Sequence, residues 1–169
     1  EHPEDEDNNA RYLYRAASLE YRMDRYSGAA SLLESLLENY RNHSLAAEGT
    51  HLLASIYEDK LQAAPVAQTI YKIFREVFPK YPDLESIDAK IDDKTLEIHL
   101  DELYQNIFDA QSGMLNPVNG THYFQSIENL ALLSPNYAGM PELLLKAAET
   151  ARTMRSFNKT LELYAMVMD

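Results

Sequence analysis

Four arginines, Arg11, Arg15, Arg22 and Arg25, fall within one short stretch of a chain whose formal net charge is −12. Only Glu20 and Asp24 oppose them there, so residues 11–25 carry a local charge of +2 (four Arg less two acids). Tyr14, Ser18 and Tyr21 recur at three- and four-residue spacing among them, which places them on one side of a helix. The chemistry such a set offers is recognition. A guanidinium grips a carboxylate through two parallel hydrogen bonds, and tyrosine and arginine dominate binding hot spots. The expectation is a surface for a protein or peptide, one with an acidic side chain or a C-terminal carboxylate. The competing expectation is that the arginines pair with Glu20, Asp24 and neighbouring acids on a solvated helix.

Chemistry of turnover finds less footing. The chain has no cysteine, which removes disulfides and cysteine-based zinc or nucleophile chemistry. Five histidines, His2, His43, His51, His99 and His122, are scattered. His99 and Glu102 stand three apart on a helix and could share a metal, but no second pair follows at ligand spacing. No phosphate-binding loop, Gly-x-Ser-x-Gly elbow, dinucleotide turn or EF-hand loop occurs, the acidic stretch near Asp109 included. Asn42-His43-Ser44, Asn119-Gly120-Thr121 and Asn158-Lys159-Thr160 match the glycosylation sequon, a pattern short enough to arise by chance. Neither catalytic residues nor a cofactor nor a metal is expected. The acidic charge repels phosphate backbones and anionic lipid, so nucleic acid is excluded as a partner. No apolar run approaches the ~18 residues of a membrane span, and no direct insertion is expected.

Helical periodicity positions these residues. After an acidic leader over residues 1–9 (Glu1, Glu4, Asp5, Glu6, Asp7), expected to be disordered, Asn8 and Asn9 are candidate caps for a helix from Ala10 to Arg25. Asp24-Arg25 turns the chain, and Tyr26 opens a second helix with the stripe Leu32, Leu33, Leu36, Leu37 and Tyr40. Ser44 caps a third, Leu45 to Asp59. Pro65 starts a fourth, which Pro79 and Pro82 end. Residues 10–82 thus read as two helical hairpins. Asp83 caps a segment to Ile91, and Thr95 to Ala110 forms a longer helix. The turn-rich run 111–120 is the clearest internal boundary, so residues 83–120 read as linker helix and loop. Thr121 to Leu133 is helical, and a last hairpin starts at Pro141, giving a degenerate repeat and a truncated hairpin over 121–169. No alternating strand pattern appears, and the fold class is all-α.

The chain repeats itself. Leu13–Leu33 and Leu144–Tyr164 align with Ala16-Ala17 over Ala147-Ala148, Met23 over Met154 and Tyr26 over Phe157 (147 − 16 = 131). A looser copy puts Leu53-Ala54-Ser55 under Arg15-Ala16-Ala17 (53 − 15 = 38). Together the hairpins resemble tetratricopeptide (TPR) repeats. Tyr26, Ala29, Leu33 and Arg41 stand at that family's signature places in the first repeat; Ala64, Ala67, Tyr71 and Pro79 in the second; Phe157, Thr160 and Tyr164 in the last. Arg41 replaces a proline, Ala64 an aromatic and Thr160 an alanine. Residues 55–61 with the following Tyr-x-x-Phe helix and Lys80-Tyr81-Pro82, and the LLKAAETA and LELY runs, are similar to TPR lipoproteins of the Bacteroidota cell envelope.

That resemblance implies a right-handed α-α superhelix of antiparallel hairpins with a divergent middle segment. It implies a cell-envelope location on the periplasmic side, lipid-anchored through an upstream segment; without one, the location would be cytoplasmic. A TPR hairpin buries its apolar face only by stacking, which leaves a concave face lined by the first helix of each repeat. By helical phase the partner-binding face would carry Arg11, Tyr14, Ser18, Tyr21 and Arg22, then Leu52, Ile56 and Asp59, then Arg152 beside Glu142, Leu145 and Glu149. Tyr14 and Ser18 stand where a chaperone-type carboxylate clamp has lysine and asparagine. The expected role is a non-catalytic interaction scaffold. The alternatives are a structural segment of a larger envelope assembly, a homo-oligomer through the apolar edge Leu161–Met168, and a helical hydrolase or glycan-binding protein.

Overall fold

A computed structural model describes residues 3–108 and 114–168. Expectations on the start of the acidic leader, on residues 109–110 and on the first part of the 111–120 loop lie outside the described residues. The expected Thr95–Ala110 helix is corrected: it ends at Gln105, and Asn106 and Ile107 form a turn. Among the described residues there is no strand, only one isolated bridge between Phe108 and Leu115. The chain is all-α and divides into two compact units, Glu1–Asp93 and Lys94–Asp169. The division falls inside the 83–120 stretch taken as linker.

The first unit holds α1 (Pro3–Arg22), α2 (Tyr26–Tyr40), α3 (Ala46–Ser55) with a π-turn over Ile56–Lys60, α4 (Ala64–Val77) and the short α5 (Leu84–Asp88). Each helix packs chiefly against its neighbours in the chain. The core is the stripe that the periodicity marks: Ala17 from α1, Ala29, Leu33, Leu36 and Leu37 from α2, Leu53 and Ala54 from α3, and Ile70, Tyr71 and Phe74 from α4 are all buried. Gly49 lets α3 lie close on α2, since a Cβ there would sit 2.9 Å from Leu36 Cδ2. Pro65 occupies the first turn of α4, where its missing N–H costs nothing.

Helix starts depart from expectation. The expected disordered leader is corrected over residues 3–9, which form the first turns of α1 from Pro3. Asn8 and Asn9 therefore lie inside the helix and cap nothing. The cause is visible: Asp7 accepts from Arg11 Nε at 2.7 Å and from His43 Nε2 at 2.9 Å, which ties the acidic turn to the α2–α3 connection. His43 Nδ1 accepts the Leu45 N–H at 3.1 Å, so the ring carries its proton on Nε2. Leu45, and not Ser44, is the N-cap of α3. Asp83 stands at the N-cap of α5 but accepts the Ser86 hydroxyl instead of a helix N–H.

The hairpin turn is the recurrent device. Asp24 closes α1–α2 at φ 57°, and Arg155, 131 residues on, closes the last hairpin at φ 59°. The chain then returns by the same bond in both: Arg25 N–H to Glu20 C=O at 3.0 Å, and Ser156 N–H to Ala151 C=O at 2.9 Å. This is a Schellman closure, with the left-handed residue just past the helix end. Gln62, 38 residues after Asp24 (62 − 24 = 38), does the same for α3–α4 at φ 53°. Its closing bond reaches one residue further back, from Ala63 N–H to Tyr57 C=O at 2.8 Å. The π-turn at Ile56–Lys60 supplies that extra residue.

The second unit holds α6 (Leu96–Gln105), α7 (Pro117–Leu133), α8 (Met140–Thr153) and α9 (Phe157–Met168). α6 packs on α7, α7 on α8 and α8 on α9. Tyr123, Ile127 and Leu130 of α7 and Leu144, Ala147, Ala148 and Ala151 of α8 form its core. Thr95 caps α6 by accepting from Ile98 N–H. α7 starts at Pro117, four residues before the expected Thr121, because Asn116 accepts from Val118 N–H at 3.0 Å and Asn119 N–H at 3.2 Å.

Candidate functional site

Of the expected face, Arg11, Tyr14, Ser18, Tyr21, Arg22, Leu52, Ile56 and Asp59 lie in the first unit and Arg152 in the second. On α1, Tyr14 and Tyr21 are half-buried while Arg11, Arg15 and Arg22 stand exposed beside them. The Ser18 hydroxyl donates to the Tyr14 carbonyl at 2.9 Å, which holds it along the helix and leaves only its lone pairs for a partner. Tyr21 meets Tyr26 edge-on at 5.6 Å between ring centroids. The Lys60 ammonium hangs 5.8 Å from the Tyr21 ring and 5.4 Å from the Tyr26 ring, a weak cation–π contact at an exposed site. Asp59 is exposed next to it, and Leu52 is half-buried.

Ile56 is a correction. It is fully buried and offers a partner nothing. Its spacing explains why: Ala46, Gly49, Leu53, Ile56 and Tyr57 recur at three and four and form the core stripe of α3. Leu52 lies at the edge of that stripe, so the phase carried from Leu52 to Ile56 leads inward.

The arginines divide. Arg11 pairs with Asp7 at 2.7 Å, and Arg25 with Glu20 at 2.6 Å, as the solvated-helix alternative has it. Arg15 and Arg22 make no ion pair with a described residue. They are seven residues apart, so roughly 10 Å separates them along the helix axis. Arg152, exposed in the last turn of α8, has the favourable end of the helix dipole and likewise no ion pair with a described residue.

Three further residues join the α1 face. Burial raises the Tyr14 phenol above its ordinary pKa, and the nearby Glu48 carboxylate raises it further. Tyr81 is raised by burial and then by Glu48, Asp83 and Tyr14. Tyr14 of α1, Glu48 of α3 and Tyr81 beyond α4 are thus close enough to feel one another. His51 stands between Phe74 and Tyr81, edge-on at 6.4 and 6.1 Å. Burial and then the Lys90 charge lower its pKa, so it is a neutral ring at pH 7. A cleft of about 370 Å³ opens here, with Glu48, Phe78, Lys80 and Tyr81 on its walls. Sequence reasoning missed Glu48 and Tyr81. The signal for Glu48 was its four-residue spacing to Leu52; Tyr81, between Pro79 and Pro82, entered only as part of the Lys80-Tyr81-Pro82 run past a helix end.

The metal pair separates: His99 is buried, while Glu102 pairs at the surface with Lys94. Among the described residues no group of three or more His, Cys, Asp or Glu is placed to hold a metal ion. No described helix is long and apolar enough to cross a membrane. Comparison with protein-family models, with curated proteins and with solved structures finds no match for this chain.

Proposed function

We propose that the chain is a non-catalytic, TPR-like scaffold that captures a protein or peptide on the Tyr14–Tyr21 face of its first unit. One observation carries the reading: Arg15 and Arg22 make no ion pair with a described residue, while Tyr14 and Tyr21, each the residue just before one of them, are half-buried. A pre-set aromatic surface loses little side-chain freedom on binding, and two guanidinia without an ion pair to a described residue select carboxylates. Glu48 and Asp59 at the other side of the face disfavour a uniformly acidic ligand. The best fit is a segment whose carboxylate meets α1 and whose apolar side chain meets Leu52 and Tyr81. Peptides selected from a C-terminal display library and measured by fluorescence anisotropy test this. The variant carrying Tyr14→Ala, Tyr21→Ala and Arg22→Ala should bind at least about tenfold more weakly; undiminished binding would refute the face.

A second reading, assembly, has its own observation. The 131-residue offset places Leu161 over Ala30 and Met168 over Leu37. Ala30 and Leu37 are 4% and 0% exposed, whereas Leu161 and Met168 are 70% and 82% exposed. α9 thus presents the positions that α2 buries, the surface on which a further helical repeat or another subunit would stack. Light scattering over a concentration series decides it. Concentration-dependent mass that Leu161→Glu abolishes favours assembly, and a constant monomer mass disfavours it.

A further inference from the structure

Glu97, Asp101 and Glu142 bring three carboxylates to one cleft of about 330 Å³ in the second unit, between α6, α8 and the Tyr137 turn. Lys146 is the one cation on its walls, so the lining carries a formal charge of −2 (three acids less one lysine). Two observations separate this cleft from ordinary acidic surface. The first is Tyr123, which forms part of the lining although its side chain is fully buried, and whose hydroxyl has no hydrogen-bond partner among the described residues. Buried hydroxyls are almost always bonded, so one without a described partner in the lining of a cleft can take a polar group. Burial, then Tyr104 and Asp101, keep its proton on, so the oxygen stays a neutral phenol that can accept an N–H.

The second observation is that the cleft already holds a cation of its own. The Lys146 ammonium lies 3.6 Å from the centroid of the Tyr104 ring and 3.8 Å from the Asp101 carboxylate. Tyr104 in turn packs on Tyr123 at 5.6 Å. An aromatic face with a carboxylate beside it is the chemistry that takes up ammonium and guanidinium groups. Lys146 fills the Tyr104–Asp101 place and leaves the Glu97 and Glu142 carboxylates without a cation among the described residues. Neither Glu142 nor Glu97 makes an ion pair with a described residue; Glu97 is bonded by neutral groups, its own backbone N–H, the Tyr137 hydroxyl at 3.1 Å and the Thr95 side chain.

We propose that this cleft binds an organic cation, a primary ammonium or a guanidinium, whose N–H groups donate to the Glu142 and Glu97 carboxylates and to the Tyr123 oxygen. Its volume is at the small end of ligand sites and suits a short alkyl chain with one charged head. Leu100 and Leu143 give the chain an apolar wall. Such a cation arrives either as a free amine or as a lysine or arginine side chain. The inference concerns the second unit alone and does not rest on the first unit's peptide face.

Calorimetric titration of the whole chain at low salt tests it, with four probes: cadaverine, agmatine, and N-acetyl amides of lysine and arginine. Saturable binding of at least one probe is expected. Glu142→Gln and Tyr123→Phe should each weaken it about tenfold, the loss expected for a hydrogen bond to a charged group. Both variants should keep the wild-type circular dichroism, since Glu142 is exposed and the Tyr123 hydroxyl bonds to no described residue. Tighter binding of the free amines identifies a small metabolite-like ligand, and tighter binding of the capped residues identifies a partner's side chain. Absence of saturable binding by all four probes up to about 10 mM, or affinity unchanged in Glu142→Gln, overturns the proposal.

Discussion

The three hairpin turns make a quantitative prediction, because each holds a residue with a side chain where the backbone prefers none. Asp24, Gln62 and Arg155 sit at φ 57°, 53° and 59°. An L-residue in this left-handed region costs ~1–2 kcal/mol, which glycine does not incur. Glycine also loosens the unfolded chain, which takes back ~0.4–1 kcal/mol. Gln62 and Arg155 are exposed and make no side-chain hydrogen bond with a described residue. Gln62→Gly and Arg155→Gly should therefore each stabilise the protein by about 0.5–1 kcal/mol. Asp24 differs, since its carboxylate accepts the Tyr26 hydroxyl. Asp24→Gly forfeits that bond, worth about 0.5–1.5 kcal/mol, and should come out near neutral. Urea unfolding gives the answer as a shift in midpoint at constant slope. If Gln62→Gly or Arg155→Gly destabilises, or if Asp24→Gly gains most, the shared left-handed closure is wrong.

Two other outcomes follow from the same packing. Ala17 and Ala148, equivalent by the 131-residue offset, are both fully buried, so Ala17→Leu and Ala148→Leu should each cost about 1–3 kcal/mol by overpacking; thermal melts in which either is neutral would break the equivalence. The second concerns acid. Lys90 Nζ at 2.7 Å and the Tyr71 hydroxyl at 2.9 Å both bond Glu58 Oε2 and fasten the α5 segment to α4. Burial works to raise the Glu58 pKa, but the Lys90 and Tyr71 hydrogen bonds outweigh it and leave the carboxyl below its ordinary value. A depressed carboxyl stabilises the fold above its unfolded pKa and loses that contribution as pH falls through the folded value. Stability should thus drop from pH 5 toward pH 3, and Glu58→Gln should remove about 0.5–1 kcal/mol of that drop after allowance for solvent screening. Identical acid profiles for wild type and Glu58→Gln would exclude the clamp.

Much of this fold is legible in the residues because stripes such as Leu33, Leu36 and Leu37 can serve only a helix with one buried face. Tyr26, Pro65 and the 131-residue echo set helix starts and hairpin order to within a residue or two. What escaped notice depends on long-range contacts. Asp7 is held by His43 from across the α2–α3 connection, so an acidic run that looks disordered becomes helix. Ile56 is different: the spacing of Gly49, Leu53, Ile56 and Tyr57 marks it as core, and only its four-residue spacing from Leu52 placed it outward. Asn116-Pro117, by contrast, was a readable start, an N-cap residue followed by a proline at the first helical position. Tyr81 and Glu48 reach the Tyr14 face only after α3 and α4 have folded back, and a linear pattern holds no record of that. The Tyr123 cleft is of the same kind, with its groups drawn from α6, α7, α8 and a loop.

The decisive measurement is hydrogen exchange on the chain with and without a selected peptide. The account predicts that slowed exchange concentrates over residues 11–25 and 48–59 of the first unit, and that it disappears in the Tyr14, Tyr21 and Arg22 triple-alanine variant. Slowed exchange confined to α9, with α1 and α3 unchanged, would contradict it.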